Sequence, residues 1–148
     1  MHPLAKKYEA NRQLYADLTD FAFTHLNKCL ADQDLKHMKT ESRTKEVSSL
    51  NKKVSDPKFN VSKIQDIHDL SAVRAITLLE KQSAVIVSRL RDYFGWKNCT
   101  YTPKYAVDGY NADHLVVTVP PSFTRKKKDK KFTGLKFEIQ VVSILYSV

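Results

Sequence analysis

The chain has 148 residues, with 42% hydrophobic and 28% charged side chains, which is the size and balance of one folded domain with one core rather than a disordered chain. Twenty-five Lys and Arg against sixteen Asp and Glu give a net charge of +9, which favours anionic partners such as nucleotides, nucleic acid or acidic surfaces. No apolar run approaches the ~20 residues of a membrane helix and no signal-peptide core follows Lys6 and Lys7, so the expected place is the cytoplasm, without membrane contact. Only three glycines occur, Gly95, Gly109 and Gly134, and neither G-x-G-x-x-G nor G-x-x-x-x-G-K can be written, which excludes Rossmann and P-loop phosphate cradles. Cys29 and Cys99 stand far apart and no histidine pair has ligand spacing, so a zinc site or disulfide framework is not expected; both cysteines read as small core residues.

In chain order, residues 4–30 carry apolar side chains at helical spacing and predict one long helix. A polar stretch, Ala31 to Thr40, follows as a linker. Glu46 to Val54 predicts a second helix, with Val47, Leu50 and Val54 on one stripe, broken by Asp56-Pro57. Ala72 to Leu79 is rich in strand formers, Lys81 to Phe94 reads as a helix closed by Gly95, and Asn98 to Thr102 is a weak strand. Leu115 to Val119 is a strand stopped by Pro120-Pro121, and Leu135 to Val142 is another. The order α-α-β-α-β-β-β, with one βαβ unit, predicts an α/β (α+β) domain: a mixed β-sheet with helices packed on it. Between the last two strands, Arg125 to Lys131 (RKKKDKK) holds six bases and one acid, a net of +5, leaving +4 for the rest of the chain. Its plain reading is a solvated, mobile hairpin.

Four segments could carry chemistry. Arg43 and Lys45 precede a helix whose exposed face carries Ser49 and Lys53, a set able to hold a polyphosphate without glycine; alone it reads as a solvated basic face. Asp69 stands just ahead of a strand, a common perch for a divalent cation, and Arg74 on that strand needs a partner or a stacking surface among apolar neighbours; a structural ion pair explains both equally well. In Gly109-Tyr110-Asn111-Ala112-Asp113-His114, Tyr110 offers a flat face to a base and His114 could steady it, or Tyr110 is simply a core residue at a strand entrance. In Phe137-Glu138-Ile139-Gln140-Val141, alternation puts Glu138 and Gln140 together, either to activate and position a hydroxyl or as the wet face of a sheet.

Taken together and in order, Arg43-x-Lys45 with Ser49 and Lys53, Asp-x-x-Asp-Leu-x-Ala-x-Arg, Gly-Tyr-x-x-x-His and Glu-Ile-Gln resemble the RelA/SpoT alarmone synthetase domain, over about residues 42–143. The resemblance implies a nucleotidyltransferase-like mixed sheet and transfer of pyrophosphate from ATP to the ribose 3′-hydroxyl of GDP or GTP. It implies that Arg43 and Arg74 sandwich adenine, that Lys45, Ser49 and Lys53 hold phosphates, and that Asp69 binds Mg²⁺. It also implies that Tyr110 stacks on the acceptor base beside His114, with Lys104 near the acceptor phosphates. Glu138 would bind metal or take the hydroxyl proton, and Gln140 would orient that hydroxyl. Two segments depart from the family pattern: Ala112 replaces its usual Ser, and Val142-Ser143 replace its Arg-Thr.

Both departures lie on the acceptor side. They leave a toxin-type relative acting on the 3′ end of tRNA, and an inactive nucleotide- or RNA-binding module, as alternatives. An antitoxin domain or protein and a second copy of the chain are the other partners that the resemblance suggests. Residues 1–40 are expected to be an N-terminal helix and linker, and 41–148 the catalytic core. The apolar end Ser143 to Val148, where the family continues into a covering helix, suggests a single domain truncated at its C-terminus.

Overall fold

The computed structural model describes residues 1–31, 35, 37, 39–107 and 110–145, and for 103–107 and 110 the backbone alone. Helix α1 spans Pro3–Leu30; His2 caps it through its Nδ1, which accepts from Leu4 N–H at 3.0 Å, and Pro3 opens its first turn. Its buried stripe includes Tyr8, Tyr15, Leu18, Ala22 and Leu26, as the spacing predicts. Strand β1 (Lys39–Thr44), helix α2 (Val47–Val54), strand β2 (Ser71–Leu79) and helix α3 (Glu80–Phe94) follow. Gly95 ends α3 with φ of 92°, a conformation that favours glycine. Strands β3 (Cys99–Val107), β4 (Tyr110–Thr118) and β5 (Lys136–Leu145) complete the chain.

The five strands form one mixed sheet in the order β1-β2-β5-β4-β3, with β2 and β5 parallel and every other pair antiparallel. One sequence expectation is corrected here. The linker ends in a strand, because the polar segment Lys39-Thr-Glu-Ser-Arg-Thr pairs by its backbone as a sheet edge and needs no apolar alternation. The expected βαβ unit is present: α3 carries the chain from β2 to β3 at the far edge of the sheet, with β5 and β4 between.

Register sorts the side chains into two faces. Val73 and Ala75 of β2, Phe137, Ile139 and Val141 of β5, and Leu115 and Val117 of β4 lie on the face packed by α1 and α3, and all are buried. Cys29 and Cys99 are buried, as expected of small core residues. Asp113 shares this face; its carboxylate accepts from Ser83 Oγ of α3 at 3.1 Å and from the Tyr101 hydroxyl at 2.7 Å. The opposite face carries Glu41 and Arg43 of β1, Arg74 of β2, Glu138 and Gln140 of β5 and His114 of β4, all at least partly exposed.

The basic segment is not a free hairpin. Lys127–Phe132 coil into a 3-10 turn, Phe132 is buried against Phe21 with ring centroids 4.9 Å apart, and Lys131 pairs with Asp17 of α1 at 2.8 Å. The apolar anchor just outside the charge run fixes the turn to α1. Arg125, Lys126, Lys127, Lys128 and Lys130 remain exposed.

Candidate functional site

On the half-exposed face the register builds one cross-strand row: Glu41 opposite Arg74, Arg74 beside Gln140, and Gln140 opposite His114. Arg74 Nε and Nη2 both donate to Gln140 Oε1, at 3.0 and 2.7 Å. The other end of that amide, Nε2, donates to Glu138 Oε1 at 2.8 Å. His114 Nδ1 lies 3.5 Å from the same carboxylate oxygen. Four residues drawn from three sequence segments thus touch in a chain. The alternation of β5 points Glu138 and Gln140 the same way, and the parallel pairing with β2 sets Arg74 against them.

Arg43 lies on the same face as Arg74, its register partner on β2 being Ala72. Both arginines line a cavity of ≈ 240 Å³ with Glu41, Ser42, Ala72, Val73 and Gln140. Two guanidinium groups at a cavity shaped by small strand residues can present flat cationic faces to an aromatic ring.

Asp69 sits at the entrance to β2, where Lys45 Nζ donates to its Oδ2 at 2.8 Å and Lys53 Nζ lies 3.3 Å from both carboxylate oxygens. Burial alone would raise the Asp69 pKa, but the hydrogen bond and charge of Lys45 and the nearby Lys53 outweigh it and hold the carboxyl below its usual range. The two lysines therefore meet one carboxylate, joining the basic segment to the Asp69 segment. Ser49 lines a shallow groove beside α2 together with Lys52, Lys53, Asp56, Lys58 and Phe59, so Lys53 links that groove to Asp69. Tyr110 and Lys104 occupy β4 and β3 by their backbone; their side chains, and Gly109, lie outside the described residues.

Among the described residues, no three His, Cys, Asp or Glu side chains converge on a metal-sized site. A magnesium ion is commonly held by one or two carboxylates, with substrate phosphates and water completing its shell. The hard oxygens of Asp69 and Glu138 fit that chemistry, provided Asp69 exchanges its lysine contacts for the ion.

Three residues that the sequence did not single out complete the site. Tyr8 Oη donates to the Lys45 carbonyl at 2.6 Å, and Arg12 Nε donates to the same oxygen at 3.2 Å. Both belong to α1, and both fix the turn that presents Lys45. Glu41, on the unpredicted strand, faces Arg74. The helical stripe marked Tyr8 as buried, but no sequence pattern reveals a carbonyl partner 37 positions away.

Burial pushes the Tyr8 phenol up to about 12, against the pull of Arg12. A folded-state value raised above the ordinary 10.0 contributes stability that is fully present below pH 10 and is lost as pH rises through the folded value. Replacing Tyr8 with Phe is expected to cost about 1 kcal/mol at neutral pH and to remove that alkaline component. Urea denaturation of both proteins at pH 7 and in steps from pH 10 upward measures this. Parallel pH profiles would contradict it.

No family model matches the sequence, and no curated protein matches it. Among solved structures, the small alarmone synthetase 1 from Bacillus subtilis superposes with a TM-score of 0.66 at 18% identity, over 92% of this chain and 70% of that one. The fold is that of the small alarmone synthetases. Small alarmone synthetase 2 from the same organism gives 0.66 at 18%, over 93% and 73% of the two chains. A GTP pyrophosphokinase family protein from Streptococcus pneumoniae gives 0.67 at 14%, over 95% and 70%. The Bacillus subtilis synthetase 1 fold is also matched in its forms bound to its product pppGpp and to AMPCPP. Among the described residues, no helix is long and apolar enough to cross a membrane.

Proposed function

We propose that this chain is an ATP-dependent pyrophosphokinase that makes (p)ppGpp from GDP or GTP. The observation that supports this most is the contact chain from Arg74 through Gln140 to Glu138 and His114, which links the expected donor and acceptor residues across one sheet face of a synthetase fold. That a structure sharing the fold is bound to pppGpp, and another to AMPCPP, agrees with nucleotides as donor and acceptor.

Arg43 and Arg74 take the adenine of ATP between their planes, and Lys45, Lys53 and Ser49 take its phosphates. Glu138 accepts the proton of the ribose 3′-hydroxyl, while Gln140 and His114 fix the carboxylate. The 3′-oxygen then forms a bond to the β-phosphorus, the bond from that phosphorus to the α,β-bridging oxygen breaks, and AMP leaves. Tyr110 and Lys104 hold the acceptor base and phosphates. Asp69 and Glu138 are the residues that would hold Mg²⁺, which would supply neutralisation of phosphate charge. Such a transfer depends on in-line placement and charge neutralisation more than on covalent help from the protein.

A second reading, transfer to the 3′ end of tRNA, is favoured by the anchored basic turn. An ordered cluster of exposed cations suits a phosphate backbone and gives a salt slope of roughly 0.7 per contact on single strands. The test is incubation of the protein with ATP labelled on its β-phosphate and Mg²⁺, with GDP, GTP, ADP and tRNA as separate acceptors. Label on GDP or GTP is the expected result. Label on tRNA alone, lost when the six bases of 125–131 are changed to Gln, replaces it with the second reading. Binding of an ATP analogue with no transfer to any acceptor makes the chain a nucleotide-binding module.

A further inference from the structure

We infer that Glu41 is a positioning residue that sets the plane of Arg74 in the cavity; this rests on the reading of that cavity as the ATP site. The two hydrogen bonds from Arg74, through Nε and Nη2, converge on one atom, Gln140 Oε1. Two bonds to a single acceptor make a pivot: the guanidinium keeps its place but can tilt about that oxygen. The third nitrogen, Nη1, points the other way, and the Glu41 carboxylate oxygen Oε2 lies 4.0 Å from it. A second fixed point beyond the pivot removes the tilt. The guanidinium is then flanked on both sides, hydrogen-bonded to Gln140 on β5 and ion-paired with Glu41 on β1, and its π-face is left to the cavity that Glu41 and both arginines line.

Backbone pairing makes the placement of Glu41 firm. Its register partner on β2 is Arg74 itself, so the two side chains leave the sheet side by side on one face. Its other oxygen, Oε1, is engaged by Lys39 Nζ at 2.9 Å, which steers Oε2 toward Arg74. The hydrogen bond from Lys39 lowers the Glu41 pKa, so the group is a carboxylate at neutral pH. An acid beside a site that must receive a polyphosphate carries an electrostatic cost, and the control of Arg74 is the contact that accounts for it.

The two effects have opposite signs, which makes the inference testable. If Glu41 acts only as a negative charge, removing it tightens ATP binding. If it sets the Arg74 plane, removing it weakens ATP binding and leaves the affinity for a bare triphosphate equal or higher. Calorimetric titrations with a non-hydrolysable ATP analogue and with inorganic tripolyphosphate, on wild type, Glu41→Gln, Arg74→Ala and the double variant, separate them. Glu41→Gln is expected to weaken the ATP analogue about threefold, as for a half-exposed ion pair, with no loss for tripolyphosphate. Arg74→Ala is expected to weaken the analogue about tenfold, and Glu41→Gln to add nothing in that background. In the transfer assay, Glu41→Gln raises the KM for ATP and leaves kcat near wild type. Unchanged or tighter analogue binding in Glu41→Gln, with Arg74→Ala impaired, overturns the inference. A parallel loss for both ligands overturns it too, because that is the mark of a damaged fold. Full analogue affinity in Arg74→Ala instead overturns the assignment of the cavity to ATP.

Discussion

Glu138→Gln is expected to reduce pyrophosphate transfer by a factor of about 10²–10⁴, the range of a positioned general base, with binding of an ATP analogue close to wild type. The substitution is chosen for what it preserves. The side-chain shape is the same, and an amide oxygen can still accept from Gln140 Nε2 and lie beside His114 Nδ1. The row from Arg74 to His114 therefore keeps its geometry, and only the capacity to take a proton and the negative charge disappear. Turnover near wild type would remove Glu138 from the chemistry. A loss of analogue binding as large as the loss of turnover would place its main effect in holding ATP.

Phe137→Ala, one residue earlier, is expected to cost about 3–5 kcal/mol of stability. Phe137 is fully buried on the helix-packed face, with its ring 5.6 Å from that of Phe94 on α3. The whole stability of such a domain is about 5–15 kcal/mol, so the variant is expected to be substantially unfolded well below the melting temperature of the parent. Urea denaturation followed by far-ultraviolet circular dichroism measures the difference. A loss under about 1 kcal/mol, the scale of an exposed substitution, would contradict the assignment of this face of β5 to the core. Together the two variants test the two sides of one strand: adjacent residues, one proposed for chemistry and the other buried in the core.

The facing of these side chains was legible in the sequence, because strict alternation in Phe137-Glu138-Ile139-Gln140-Val141 fixes which of them travel together. The long N-terminal helix and the Gly95 stop were legible for similar local reasons. Strand β1 was not. Its residues are all polar, and its place depends on backbone hydrogen bonds to β2, which composition does not encode. Glu41 was hidden with it. The grouping of Lys45 and Lys53 on Asp69 was illegible for another reason. Each residue was a reasonable candidate alone, but 24 and 16 positions separate the lysines from the acid, and only the folded turn held by Tyr8 and Arg12 brings them together. The basic turn shows the converse error: the charge run dominated the reading, and the single Phe132 behind it decided the structure.

The position of β5 has a consequence for how the sheet closes. It is the last of the five strands along the chain, yet it lies in the sheet centre, between β2 and β4. Until it inserts, β1 and β2 can pair on one side and β3 and β4 on the other, but no strand pairing joins the two halves. Such pairing across long sequence separations is slow, and each half meanwhile exposes an unpaired edge to other chains. The same strand delivers Glu138 and Gln140, so closure of the sheet and assembly of the contact chain from Arg74 to His114 are a single event. A nascent chain on the ribosome can therefore pair β1 with β2, and place Arg74, before Glu138 and Gln140 arrive beside it.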